Sequence, residues 1–497
     1  MHKLMHKRQF LTNAALCAAW LCAVALCFAL LQNKVVYNAV SGVVKTYRVE
    51  RAEDGSKLVT REKQPFNRIE NERLLQWDAD IYRLMSQHLY DPEYVWPGYV
   101  AFFPLFPMVW RLTGLSPIGI CLLNFVLFVA GLLVLIAATT KAADNVRQRF
   151  AVLLCMPFLV IFLIPYSEAL FFLCISVGLY GLLRNRYWLY FIGFMLGCMT
   201  RAAGSILLVA WIIADILYAL QYRLSWRQLF RNLALHLAPV VAGVAAVMLI
   251  QSISGHAGLF AFAGAQFEWG KEWSLPTWPL TDWSEESKSV TQPLLFILFL
   301  PALAWLCVRL IKAMYRSGTP QTQAANPVLG QMDSGGASPS ITSGGNLFIT
   351  GGGTPQDPVW LVRVLSVLFF VGNIVLALFT QKGCMFSQAR LLTCTPFFFF
   401  LMMDFGGALR GSNRETKVWR WVVIAFMVLA AVLCRLMLFK AQTLGTLLVF
   451  LMTVLVLFTP FRSKVVNRVL LGVTLFLNVY WTAYLFNCYL SGGWIFT

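Results

Sequence analysis

Long apolar stretches separated by short polar ones dominate the chain. The first runs from about Leu11 to Leu31, behind Lys3, Lys7 and Arg8. A cleaved signal carries an apolar region of roughly 7–15 residues. This stretch is longer and lacks a clear cleavage pattern, so it reads as a retained anchor helix whose basic flank puts the N-terminus in the cytosol. Further apolar stretches at 118–139, 150–164, 166–183, 187–201, 202–220, 233–253, 291–313, 358–379, 391–409, 419–438, 441–460 and 469–490 predict crossings. At ~20 residues per crossing the total is about 11–13 helices. The pairs 150–183 and 187–220 read as short or broken helices, as occurs around sites buried in the bilayer.

Between the first and second crossings lies a long non-spanning region, Gln32 to Pro117. Lys45 to Arg73 is highly charged. Leu74 to Arg111 is aromatic and apolar, but Pro92, Pro97, Pro104 and Pro107 interrupt it. Closely spaced prolines break a spanning helix, so short helices lying in the membrane interface are expected there.

Composition agrees with the pattern. Of 497 residues 59% are hydrophobic and 12% charged, with a mean hydropathy of +0.68. Soluble proteins are about 25% charged, which excludes a soluble globular domain, a disordered chain or a nucleic-acid-binding module. The fold class is all-α, a polytopic membrane protein. The net charge of +18 then reports orientation rather than a nucleic-acid partner. With the N-terminus inside, the short cytosolic segments hold 21 Lys and Arg and the short outer loops six, namely Lys271, Lys288, Lys382, Arg390, Arg435 and Lys440. That asymmetry fits the positive-inside rule. The outer segment Ser254 to Val290 carries five acids and Trp269, Trp273, Trp278 and Trp283, which suits an interfacial belt. On the cytosolic side, 317–357 has nine glycines and four prolines in 41 residues, reads as disordered, and is assigned no chemistry. The organisation is therefore an anchor helix at 1–32, an outer loop at 33–117, crossings over 118–316 with an outer loop at 254–290, the insert at 317–357, and C-terminal crossings over 358–497. The 12 cysteines form no CxxC or Cys/His cluster and mostly sit inside apolar runs; they behave as small hydrophobes. No metal site is expected.

The stretch Gln76 to Arg111 is the richest in chemistry. On a helix, Leu74, Asp78, Ile81, Tyr82 and Met85 share one face. Asp80 lies about 200° from Asp78 and points to the polar side. A carboxylate held against apolar neighbours is desolvated and suits a general base. Asp78 is thus the candidate base and Asp80 a helper or a solvated residue; alternatively, Asp78 caps a helix or pairs with Arg83 or His88. The run Ala101 to Pro107 suits either a wall for a lipid tail or a membrane-dipping anchor. Glu168, flanked by apolar residues, is either functional at that depth or a helix N-terminal acid favoured by the macrodipole. Arg201 and Arg390, at outer helix ends, either meet an anionic lipid phosphate or snorkel to headgroups. Acids clustered in outer loops, and the lack of an internal repeat, favour an enzyme over a transporter.

Trp77-Asp78-Ala79 followed by Ala101-Phe102-Phe103-Pro104-Leu105-Phe106-Pro107 resembles the eukaryotic GPI mannosyltransferase 2 family, whose members add the second mannose to the GPI precursor. Pro165-Tyr166-Ser167-Glu168-Ala169-Leu170-Phe171 is similar to that family's YSE-x-LF element. Arg201 with Gly204 resembles its Arg-Ser-Asn-Gly-like element, from which Ala202 and Ala203 depart. Arg390-Leu391 resembles an Arg-Phe-Leu element, and Asn487-Cys488 to Trp494 a short Trp-containing luminal tail. The resemblance implies a GT-C type inverting glycosyltransferase in the endoplasmic reticulum membrane with a luminal site. It implies dolichyl-phosphate mannose as donor, the GPI precursor glycolipid as acceptor, no cofactor, no nucleic-acid partner, and room for an accessory membrane subunit. The acid of the first luminal loop, Asp78, is the implied base. The substrate-binding set is Trp77, Asp80, Phe103, Pro104, Tyr166, Glu168, Arg201 and Arg390.

Overall fold

A computed structural model describes residues 2–33, 35–36, 46–51, 57–62, 66–139, 156, 158–255, 258, 260–269, 273–275, 308, 358–380, 387–409, 463–493 and 495, with isolated positions between 418 and 456. The insert at 317–357, all of the expected crossing at 291–313 but residue 308, and most of 419–438 and 441–460 lie outside the described residues. Among the described residues six helices are long and apolar enough to cross a membrane: α1 (His2–Leu31, apolar from Leu11), α4 (Pro117–Thr139), α7 (Ile206–Tyr222, with the 3-10 turn Ala202–Ser205 before it), α8 (Trp226–Gly255), α10 (Pro358–Thr380) and α13 (Lys464–Leu490). The protein is a helical, multi-pass membrane protein.

Two apolar helices are shorter: α5 (Glu168–Leu183) and α6 (Tyr187–Thr200), antiparallel neighbours joined by Arg184–Arg186. Their backbones touch because of glycine. A Cβ on Gly181 would collide with the Tyr190 backbone, and one on Gly193 with that of Gly178. At ~1.5 Å per residue α5 and α6 are ~24 and ~21 Å long, short of the ~30 Å hydrocarbon core. The hairpin is therefore too short to cross the core by itself, and the start of α5 and the end of α6 both carry charge. Of the long helices, α4 packs on α5 and α8 on α6. Trp20 of α1 donates to Asn478 Oδ1 of α13 at 2.9 Å, and Asn478 Nδ2 donates to the Met156 carbonyl at 3.0 Å.

Three expectations are corrected. Over 150–164 the described residues 159–163 form a 3-10 turn rather than an α-helix, followed by extended Ile164. The stretch at 391–409 is two helices, α11 (Gln388–Thr393) and α12 (Pro396–Leu409), because Pro396 lacks the N–H needed to continue the first. The charged region after α1 holds an antiparallel hairpin, β1 (Thr46–Arg51) with β2 (Lys57–Glu62), in a register that sets Val49 opposite Val59. Asp54-Gly55 between the strands is the sequence signal for it.

The same loop holds α2 (Asp78–His88) and α3 (Leu105–Thr113), and α9 (Ala261–Glu268) follows α8. Its contacts gather at one end of the bundle. Gln251 of α8 donates to the Val100 carbonyl at 2.8 Å, Trp269 to Gly98 at 2.9 Å, and Tyr489 of α13 to Leu74 at 2.9 Å. The described parts of the segments assigned to the outer side thus share one face.

Candidate functional site

Asp78 is set by a sharp turn. Leu74 closes a 3-10 turn (Glu72–Leu74) and is fully buried, and Trp77 then adopts φ +55° and ψ −124°. For a bulky L-residue such a backbone costs ~1–3 kcal/mol and persists only where neighbours hold it. The Gln76 carbonyl accepts the Ala79 N–H at 3.1 Å and the Tyr489 hydroxyl at 3.2 Å. Asp78 is the first residue of α2, so this helix starts four residues later than the shared face drawn from Leu74. Ala79, Tyr82 and Met85 form its buried face, and Asp80 is exposed.

Glu168 and Arg201 come from the two breaks. Backbone outside a helix must find partners in a membrane interior. Asn124 of α4 supplies them, its Nδ2 donating to the Ile164 and Tyr166 carbonyls at 2.6 and 2.8 Å. Glu168 opens α5 with its side chain fully buried. Arg201 is extended (φ −152°) at the end of α6, 9% exposed, with Nη1 2.6 Å from Glu168 Oε1. Burial and pairing rule out snorkelling for Arg201. Glu168 is both a helix N-terminal acid and an ion-pair partner.

Arg390, in α11, closes the cluster. Its Nε lies 2.6 Å from Glu168 Oε1 and its Nη2 donates to Asp78 Oδ2 at 2.7 Å. Its guanidinium sits over the buried Tyr166 ring, 4.9 Å from the centroid. Arg390 is 9% and Asp78 20% exposed. Burial alone would lower the Arg390 pKa; the Glu168 and Asp78 carboxylates more than offset that and push it up, so it stays cationic. The two arginines approach Glu168 Oε1 ionically rather than as aligned hydrogen bonds, and Oε2 meets no donor among the described residues. Two carboxylates and two guanidiniums from four distant segments thus form one largely buried, charge-balanced group.

Asp78 pairs with neither of its expected local partners: Arg83 lies over Trp110 at 5.8 Å and His88 stacks on Tyr94 at 4.3 Å. Trp77 is 46% exposed beside Asp78. Exposed Asp80 makes none of the cluster's ion pairs. Phe103 is buried in a hydrophobic cluster with Met199 and Val247, which Ala202 borders, so it packs near the Arg201 turn; Pro104 is buried beside it in sequence.

Four supporting residues lie outside the expected site set. Tyr82 and Ser167 share a hydrogen bond of 2.8 Å that ties α2 to the start of α5. Burial first, then the Asp78 and Glu168 charges, raise the Tyr82 pKa, which keeps its phenol neutral. Asn124 and Tyr489 are the others. A polar amide inside an apolar crossing was the available signal for Asn124; Tyr489 lies in the 487–494 tail element, which gives it no role of its own. Asp215 was also missed. It lies within α7 and contacts His236 Nδ1 of α8 at 2.9 Å, both 1% exposed, with the imidazole stacked on Trp211 at 4.4 Å. This membrane-depth acid corrects the view that acids belong to the outer loops. Among the described residues no three His, Cys, Asp or Glu side chains gather to hold a metal ion. No family model, curated protein or solved structure matches the chain.

Proposed function

We propose that this protein is a GT-C type mannosyltransferase of the GPI mannosyltransferase 2 kind. It moves mannose from dolichyl-phosphate mannose to the GPI precursor as the second, α-1,6-linked residue. The chain works in the endoplasmic reticulum membrane with its N-terminus cytosolic and its site luminal. The observation that carries this reading is the convergence of Asp78, Glu168, Arg201 and Arg390, each from a different element that resembles that family, into one ion-paired cluster at helix ends.

The step is a direct displacement. Asp78 takes the proton of the acceptor hydroxyl, the oxygen bonds to the anomeric carbon, and the bond from that carbon to phosphate oxygen breaks. The electron pair leaves with dolichyl phosphate, and the configuration inverts. Arg390 fixes Asp78 through Oδ2, leaving Oδ1 for the hydroxyl. The phosphate goes from one negative charge toward two as it leaves, so the guanidiniums of Arg201 and Arg390 hold the transition state better than the ground state, the condition for acceleration. Glu168 allows two guanidiniums to sit together before substrate arrives. Exposed Trp77 offers a ring face to a sugar, and Phe103 and Pro104 belong to the apolar wall near Arg201.

Another polyprenyl-phosphate-sugar transferase with a different acceptor would use the same cluster. A transporter is favoured by one observation, the Asp215–His236 pair at membrane depth, since buried ionisable pairs mark ion and proton pathways. Purified chain supplied with labelled dolichyl-phosphate mannose and a mono-mannosylated GPI precursor separates these. An α-1,6-linked dimannosyl product is expected; substrate flux across proteoliposomes without transfer would overturn the reading.

A further inference from the structure

We infer that Tyr489, in the last turn of α13, is a positioning residue for Asp78, an inference that rests on the transferase reading. The segment leading into Asp78 has no regular structure of its own between Leu74 and the start of α2, and it contains the unfavourable Trp77 backbone. The Tyr489 hydroxyl lies between two of its carbonyls, donating to Leu74 at 2.9 Å and reaching Gln76 at 3.2 Å. One proton shared between two acceptors is a three-centre bond. The Gln76 carbonyl also receives the Ala79 N–H that closes the turn carrying Asp78.

The same ring reaches the cationic side. Tyr489 meets Tyr166 edge-on at 6.0 Å, and Tyr166 underlies the Arg390 guanidinium that holds Asp78. Tyr489 is fully buried. Two residues earlier, Asn487 Oδ1 accepts the Asn67 N–H at 2.9 Å, a second tie from the end of α13 to the same stretch of chain. The C-terminal helix therefore sets the height and angle of the acid relative to its arginine. A base displaced by about 1 Å loses rate out of proportion to the lost contact.

Tyr489→Phe keeps the ring and removes only the hydroxyl. In full-length protein in nanodiscs, kcat for mannose transfer is expected to fall about tenfold, with the donor KM within twofold of wild type and thermal unfolding little changed. Amide exchange over 76–80, read by mass spectrometry, should speed up in the variant. Placing 4-aminophenylalanine at 489, which restores a donor at the same ring position, should recover both. An active wild type whose Tyr489→Phe variant keeps both its kcat and its exchange overturns the inference alone. Loss of KM and stability together with kcat also overturns it, since that marks a general structural role. A wild type that transfers no mannose overturns the transferase reading instead.

Discussion

Arg390 Nη2 sits 2.7 Å from Asp78 Oδ2 although 312 residues separate the two in the chain. The same guanidinium places its Nε on Glu168, so its planar fork spans two carboxylates at once. A lysine is a single point charge on a flexible stem and cannot reproduce that geometry. Arg390→Lys is expected to keep the protein folded but lower kcat for mannose transfer by about 100-fold, the cost of misplacing reacting groups. Steady-state kinetics check this, and near-normal turnover would show that charge alone suffices.

Glu168 holds two arginines in a buried place. Removing one partner of a buried ion pair leaves uncompensated charge and costs about 3–5 kcal/mol. Glu168→Gln should therefore lower the thermal midpoint in detergent clearly. Combining it with Arg201→Met should cost less than the two changes added together, because each removes the other's unpaired charge. Strict additivity would mean the pair is not energetically coupled.

Asn124 tests the break before α5. Its amide satisfies two carbonyls where the chain leaves helical structure. Asn124→Leu removes the donor and leaves both unsatisfied, at about 1–3 kcal/mol for a lost buried partner. Reduced stability together with reduced transfer is expected, since Tyr166 and Glu168 follow directly. Thermal unfolding and the transfer assay on one preparation read both.

The Asp215–His236 pair is expected to serve stability rather than transfer. Tyr190 of α6 donates to the His236 carbonyl at 2.7 Å, so this group ties α6, α7 and α8 together. Tyr190 is near the opposite end of α6 from Arg201. Asp215→Asn should lower the unfolding temperature while the turnover of folded molecules stays within a few-fold of wild type. Loss of a proton-coupled flux in proteoliposomes, with mannose transfer absent in both proteins, would favour the transporter.

The long crossings were legible because an apolar run of ~20 residues has few alternatives. The broken helices at 164–167 and 201–205 were partly legible for the same reason: Glu168 and Arg201 interrupt apolar pattern where charge is costly. The opposite faces of Asp78 and Asp80 followed from helical period. What was not legible was pairing. No spacing announces that Arg390 meets Asp78 and Glu168, since that contact depends on how distant helices pack. Tyr489 and Asn124 act through backbone carbonyls, which carry no side-chain signature. The β1–β2 hairpin was not legible because charged residues fill half of each strand and leave only a short apolar alternation.

The central claim is that Asp78 is the base of a mannose transfer. The direct measurement compares wild type and Asp78→Asn, each purified, folded and membrane-inserted, for transfer of labelled mannose from dolichyl-phosphate mannose to a mono-mannosylated GPI precursor. The account predicts an α-1,6-linked product from wild type and a rate lower by about 10²–10⁴ from the variant, the usual worth of a general base. Near-normal transfer by Asp78→Asn, or no transfer by wild type, would contradict it.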